Sequence, residues 1–291
     1  MSRHTTGVDL SSPMLELGGL GVLAFRGPET ARFLQGQLSA DVEKLDSGAT
    51  TLAGLHSPQG RTIAVLALLR TATEEVLAIC PRELVGVVEQ RLRKFLLRAK
   101  VRIEDLSESI RVIGVQAGSE SASEWALPWG DRRLLLVPSA RAEEFTGGAP
   151  ERANWERADI SAGLPQIYTA TSEAFVAQML NLDLLGAIAF DKGCYTGQEV
   201  IARAHYRGRV KRRLQRWHSS SGAAPRAGDS ARTADGRALT VVRAAPGVDG
   251  GWDLLAVGTF ADRGTAPELA PAQPDALTVD GPLPLPYSLP E

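Results

Sequence analysis

Helical spacing stops partway along this chain, and that stop limits its fold more than any other feature. Up to about residue 212, short apolar runs of strand type alternate with amphipathic helical stretches; from Leu214 onward no stretch repeats at helical spacing. Alternation of strands and helices, then strands alone, predicts an α+β region followed by a small all-β barrel or sandwich. The first region, residues 1–212, divides into two subdomains with a joint near residues 146–150, where Thr146-Gly147-Gly148-Ala149-Pro150 breaks the pattern. Residues 213–291 form the second region and end in a Pro-rich tail.

Within the first subdomain, residues 14–17 and 21–25 read as strands, and Pro28 starts a helix that runs from Glu29 to Gln37 with Phe33 and Leu34 inward. Residues 61–70 and 75–79 form an antiparallel pair, and residues 81–99 form the clearest helix, with Leu84, Val88, Leu92, Phe95 and Leu96 at helical spacing. A strand at 101–106 follows. Strand pairs alternating with amphipathic helices point to ferredoxin-like units. Further strands are expected at 110–115 and 133–137, and a helix at 154–162 that Gly163 and Pro165 end. Beyond it, Arg207, Arg209, Lys211 and Arg213 would share the solvent face of one strand. A hairpin at 230–244 turns at Asp235-Gly236 with a type I′ signature; residues 252–260 add a strand, 265–274 an extended loop, and 282–290 an edge strand or loose tail.

With 291 residues, 44% of them hydrophobic and 23% charged, the chain builds a core without disulfides. Its net charge of −2 gives no global attraction to polyanions, so a nucleic-acid site has to be a local patch. The cations Arg91, Arg93, Lys94, Arg98 and Lys100 crowd one helix end and read as a solvated face favoured by the helix dipole. Two cysteines, Cys80 and Cys194, and no secretory signal or membrane-spanning run make a reducing cytoplasm the expected setting. The sequence holds no CxxC, no His-Glu-x-x-His and no Walker loop, so a zinc site is not expected.

The chemistry concentrates in Lys192-Gly193-Cys194-Tyr195-Thr196-Gly197-Gln198-Glu199, with Arg203 behind it. Gly193 permits a tight turn, and Thr196 with Glu199 reads as a capping box opening a helix. Cys194 would then lie just outside a helix N-terminus, two residues from Lys192, where a thiolate is favoured. Pairing of Cys194 with His205 is the other arrangement open to it. Cys80 reads as core packing.

That eight-residue stretch resembles the signature of the YgfZ family, folate-binding relatives of the glycine-cleavage T-protein (an aminomethyltransferase). The runs Phe33 to Val42, Ser57-Pro58-Gln59-Gly60-Arg61 and Glu156 to Pro165 resemble patterns of the same family, so the likeness spans about Leu15 to Phe260. It implies a T-protein-like arrangement of three parts, two α/β subdomains and a C-terminal antiparallel β-barrel, around a central tetrahydrofolate cavity. It implies Cys194 as the working residue, with Lys192 beside it, and a role in iron–sulfur cluster assembly or repair and in tRNA modification. Client or assembly proteins would be the partners. For the folate, Gln198 or Glu199 suits the amino-pyrimidine edge, and Arg157, Arg203 and Arg207 suit the glutamate tail. The T-protein places an acidic residue just after the glycine matching Gly60, whereas residues 61–70 here contain none. A folate-dependent aminomethyl-type transferase is therefore the second reading, and a tRNA-binding module using residues 203–216 the third.

Overall fold

The computed structural model describes residues 14–117, 125–145, 147–207, 210–259 and 277–290. In chain order its elements are β1 (Leu15–Glu16), β2 (Leu20–Arg26), α1 (Thr30–Gln35), β3 (Thr50–His56), β4 (Thr62–Ala72), β5 (Glu75–Pro81), α2 (Val85–Leu96), β6 (Arg102–Asp105), β7 (Ile110–Gln116), β8 (Trp125–Trp129) and β9 (Arg132–Pro138). They continue with α3 (Ala149–Ser161), α4 (Gln198–Tyr206), β10 (Arg212–Ser219), β11 (Ser230–Thr233), β12 (Ala238–Pro246), β13 (Trp252–Thr259) and β14 (Leu277–Leu283). Among the described residues, no helix is long and apolar enough to cross a membrane.

Three sheets organise the chain. The first runs β3-β4-β5-β2-β6, every neighbour antiparallel, with α1 and α2 as its helical connections. A four-stranded ferredoxin-like unit has no counterpart of β3, which adds an edge. The second sheet runs β1-β7-β9-β8, so the first strand of the chain leaves its neighbour β2 and pairs Leu15 with Gly114. The third closes into a barrel in the order β10-β13-β12-β11-β14, with β14 returning against β10. Its β11 and β14 pair in parallel, which corrects the expectation of an all-antiparallel arrangement.

The continuous apolar run of β4 is explained by burial on both faces. Leu66 and Leu68 join the core that α1 and α2 cover, with Leu34, Leu84, Val88 and Leu92. Ala67 and Leu69 face the other way, into a layer shared with Leu134, Leu136 and Trp155 of the second subdomain. Two sheets thus pack face to face, with the helices outside the first.

Several boundaries differ from expectation for local reasons. Pro81 belongs to β5 and a short 3-10 turn precedes α2; that helix ends at Leu96, which leaves Phe95 outside the core instead of inward. Gly148 caps α3, its N–H donating to the Glu151 carboxylate at 2.8 Å, with Pro150 in the first turn; Thr146 lies outside the described residues. The stretch around Arg207 is not a strand, because α4 runs through Tyr206 and Arg207 caps it. Arg213, expected on a solvent face, is buried and forms a bidentate pair with Asp183 at 2.7 and 2.8 Å; Arg209 lies outside the described residues. At the Asp235-Gly236 turn only Gly236 takes a positive φ, 86°, so the turn is not type I′. β8 was not foreseen, and β14 begins earlier than the expected tail strand. The loop expected at 265–274 and Phe260 lie outside the described residues.

Candidate functional site

The loop carrying Cys194 is held from below at both sides of the thiol. Two residues before it, the Lys192 ammonium is buried and donates to the carbonyls of Gln35, Leu38 and Ala40, each at 2.7 Å. Burial pushes its pKa down to about 8, against the pull of Asp41 and Glu43. One residue after it, Tyr195 is buried, with its ring 5.0 Å from the Lys192 Nζ, and burial pushes its phenol up to about 12. Cys194 between them is exposed. The three donors of Lys192 are all spent on backbone carbonyls, so it has none left to donate to the thiol.

The capping box is corrected as well. Gly197 is the N-cap of α4 with φ 83°, and no side chain caps the helix. Gln198 instead turns its Oε1 back to accept the Tyr195 N–H at 3.1 Å. A Cβ on Gly197 would lie 2.5 Å from the Ser57 carbonyl oxygen, and one on Gly60 2.7 Å from the Val200 Cβ. The turn between β3 and β4 and the start of α4 therefore touch backbone to backbone, and the positive φ sits at Gly197, not at Gly193. Beneath this contact His56 is fully buried; desolvation pushes its pKa down to about 3, and Nδ1 lies 3.3 Å from the Thr62 hydroxyl. His205 stacks on Phe190 with ring centroids 3.8 Å apart, and no hydrogen bond joins it to Cys194. Cys80 is buried and its thiol is pushed up to about 12 by that burial, an inert position.

A cavity lies apart from this loop, where the three sheets meet. Leu17, Leu20, Trp129, Arg152, Trp155, Glu156, Asp159, Gln166, Tyr168 and Arg243 line about 550 Å³ of space, part of it open to solvent. Its floor is a chain of buried charges. Arg243 of β12 pairs with Glu156 and, at 2.8 Å, with Asp159 of α3. Asp159 also accepts from Arg132 at 2.5 Å and from the Trp129 indole at 2.7 Å. Arg132 lies 4.0 Å over the Trp155 ring. Burial alone would lower the Arg243 pKa, yet the Asp159 and Glu156 carboxylates hold it above the usual value. Two wall groups remain uncommitted among the described residues: the amide of Gln166, a buried residue whose side chain makes no hydrogen bond, and the exposed Arg152 guanidinium.

Cys194 and Lys192 do not line this cavity, and neither do the sequence-proposed folate contacts Gln198, Glu199, Arg203 and Arg207, which all stand on or at the end of α4. Arg157 is on α3 but turns outward, donating to the Pro246 carbonyl at 2.9 Å and to Asn154. The residues that do meet there, Glu156, Asp159, Gln166, Tyr168 and Arg243, were missed individually. The run Glu156 to Pro165 marked the right segment. Helical geometry decides within it: Glu156 and Asp159 are three residues apart and share a face, which Arg157 does not.

The scan against family models matched none. Among curated proteins, an uncharacterized protein of Haemophilus influenzae is 34% identical over 70% of this chain and 72% of its own length. The tRNA-modifying protein YgfZ of Serratia proteamaculans is 30% identical over 96% of this chain and 93% of its own, and that of Edwardsiella ictaluri 32% identical over 79% and 80%. Among solved structures, the glycine cleavage system aminomethyltransferase T of Bartonella henselae superposes with a TM-score of 0.66 at 15% identity, covering 85% of this chain and 78% of that one. The fold is thus T-protein-like, and with relatives of this identity along almost its whole length the chain belongs to the YgfZ family.

Proposed function

We propose that this protein binds a tetrahydrofolate in the cavity between α3, β8 and β12, and uses the Cys194 thiol in assembly or repair of iron–sulfur clusters in client enzymes, tRNA-modifying ones among them. The cavity wall carries the reading. Trp129, Trp155 and Tyr168 offer flat apolar surface for a fused ring, while the uncommitted Gln166 amide can donate and accept toward an amino-pyrimidine edge. Glu156 lies beside it, its carboxylate already shared with Arg243. Arg152 at the rim suits a carboxylate tail. Support also comes from the names of the relatives and from the likeness in fold to an aminomethyltransferase.

The thiol stands outside the cavity on a loop anchored at Lys192 and Tyr195, which fits reaction with a group presented from outside the protein. Aminomethyl transfer finds no matching base, since β4 from Thr62 to Ala72 contains no carboxylate. The test is anaerobic calorimetric titration with tetrahydrofolate of the native protein, Gln166→Leu and Cys194→Ala. Saturable binding that weakens about tenfold or more in Gln166→Leu and is unchanged in Cys194→Ala is expected, since an unpaired polar edge costs about 1–3 kcal/mol. In a deletion strain, Cys194→Ala should fail to restore activity of a cluster-dependent tRNA-modifying enzyme. Absence of binding at any folate concentration would remove the cavity assignment, and full restoration by Cys194→Ala would remove the thiol.

A further inference from the structure

The end of α2 carries charge that the rest of the fold leaves unused. Arg93 pairs with Glu89 at 2.7 Å, but Arg91, Lys94, Arg98 and Lys100 ion-pair with no carboxylate among the described residues. This stretch stands against a chain whose net charge is −2. Val87, Arg91 and Lys94 follow helical spacing and share one face of α2, beside the buried one formed by Leu84, Val88 and Leu92, and Arg98 follows in the turn after the helix ends. Among the cations stand the exposed apolar side chains Val87, Phe95 and Leu97, the last of them 91% exposed.

Leu97 is the sharpest of these features. Its backbone takes φ 40° and ψ −100°, a region that is strained for a residue with a Cβ. The fold gains nothing from a leucine there, neither burial nor backbone ease. An exposed apolar side chain ringed by arginines and lysines has the anatomy of an interface anchor inside a charged rim.

We infer that the C-terminal end of α2 docks a partner protein whose contact face is acidic around an apolar pocket, with Leu97 and Phe95 entering the pocket and Arg91, Lys94, Arg98 and Lys100 meeting the acidic rim. Charge complementarity selects an acidic face. A nucleic-acid backbone would use the cations and leave Leu97 and Val87 without a role. A membrane surface needs an apolar stripe free along the helix, and on α2 that stripe is spent on the core.

The experiment places a photo-crosslinking benzoylphenylalanine at position 97 of the full chain, in cells that naturally express the protein. The adduct is identified by mass spectrometry, and the identified partner is purified and titrated against the unlabelled protein at two salt concentrations. One protein adduct through an acidic peptide is expected. Its affinity should fall about tenfold or more on Leu97→Ser and on the triple variant R91E/K94E/R98E, and should weaken with added salt. Lys94, Leu97 and Arg98 are exposed and Arg91 is half-buried, so the double variant K94E/R98E is run beside the triple one; the melting temperatures of Leu97→Ser and K94E/R98E should stay at the native value, and a large drop in them would show that this end of α2 is structural and overturn the reading. Adducts with RNA, with lipid or with a second copy of this chain would overturn it too, as would no adduct or an affinity indifferent to both variants.

Discussion

Replacing Lys192 with methionine tests how the thiol loop is held. Three hydrogen bonds from an ammonium to buried carbonyls contribute on the order of 1.5–3 kcal/mol each. Against them stands the cost of keeping the charge buried: a pKa lowered from 10.5 to about 8 corresponds to at most about 3 kcal/mol. Lys192→Met removes both and leaves the carbonyls of Gln35, Leu38 and Ala40 without this donor. A net loss of about 3–5 kcal/mol in urea unfolding at pH 7 is expected. The pH dependence has a definite sign. Between the folded value of about 8 and the unfolded 10.5, the unfolded chain holds more of the proton, so the native protein gains stability from Lys192 as pH rises through that window and the variant does not. Lys192→Arg separates two roles. A planar fork cannot aim three donors at converging carbonyls, so arginine should fail nearly as badly as methionine. If positive charge beside Cys194 were what mattered, arginine would preserve alkylation of the thiol by iodoacetamide. Native stability in Lys192→Arg, or a loss below about 1 kcal/mol in Lys192→Met, would refute the carbonyl cage.

Three other outcomes are expected. The His56 pKa of about 3 lies below its unfolded value, so stability should fall as pH drops from 6.5 toward 3, by about 2 kcal/mol at pH 5 from this residue alone; if His56→Gln shows the same acid dependence as the native protein in urea titrations, the assignment fails. Arg243→Met leaves Glu156 without its ion-pair partner and Asp159 with Arg132 and Trp129 alone, and should cost about 3 kcal/mol in thermal unfolding, a prediction lost if the melting temperature holds. Gly197→Ala sets a Cβ 2.5 Å from the Ser57 oxygen at φ 83° and should cost about 2 kcal/mol or more, whereas Gly193→Ala, with nothing within 4 Å, should be neutral; equal effects would show that the contact between α4 and the turn is not tight.

Legibility in the sequence followed distance along the chain. The inner face of α2 was readable because Leu84, Val88 and Leu92 report to one another within a few turns. The exposure of Cys194 was readable because its loop compresses a thiol, two glycines and charged neighbours into eight residues. What Lys192 touches was not, since its acceptors Gln35, Leu38 and Ala40 lie 157, 154 and 152 residues earlier in the chain. Arg213 looked like a surface cation until Asp183 supplied its bidentate partner. The cavity floor joins Trp129, Arg132, Glu156, Asp159 and Arg243 from four separate elements, and no local pattern announces such a meeting. β8, with Pro128 inside Trp125–Trp129, lacks the alternation by which strands are recognised.

The route of the chain through its sheets also orders its assembly during synthesis. Strands β2 to β6 can pair once Asp105 has left the ribosome, but β1, made before any of them, has to wait for β7. The barrel repeats the arrangement at the other end, where β10 stands open until β14, near the end of the chain, arrives to join it to β11. Two of the three sheets are therefore finished by strands from the two ends of the described chain. Trimming to Leu20 would bare the edge of β7, and stopping at Thr259 would unlatch the barrel, each leaving unpaired backbone ready to take up a strand from another molecule. Strands β1 and β14 act as seals.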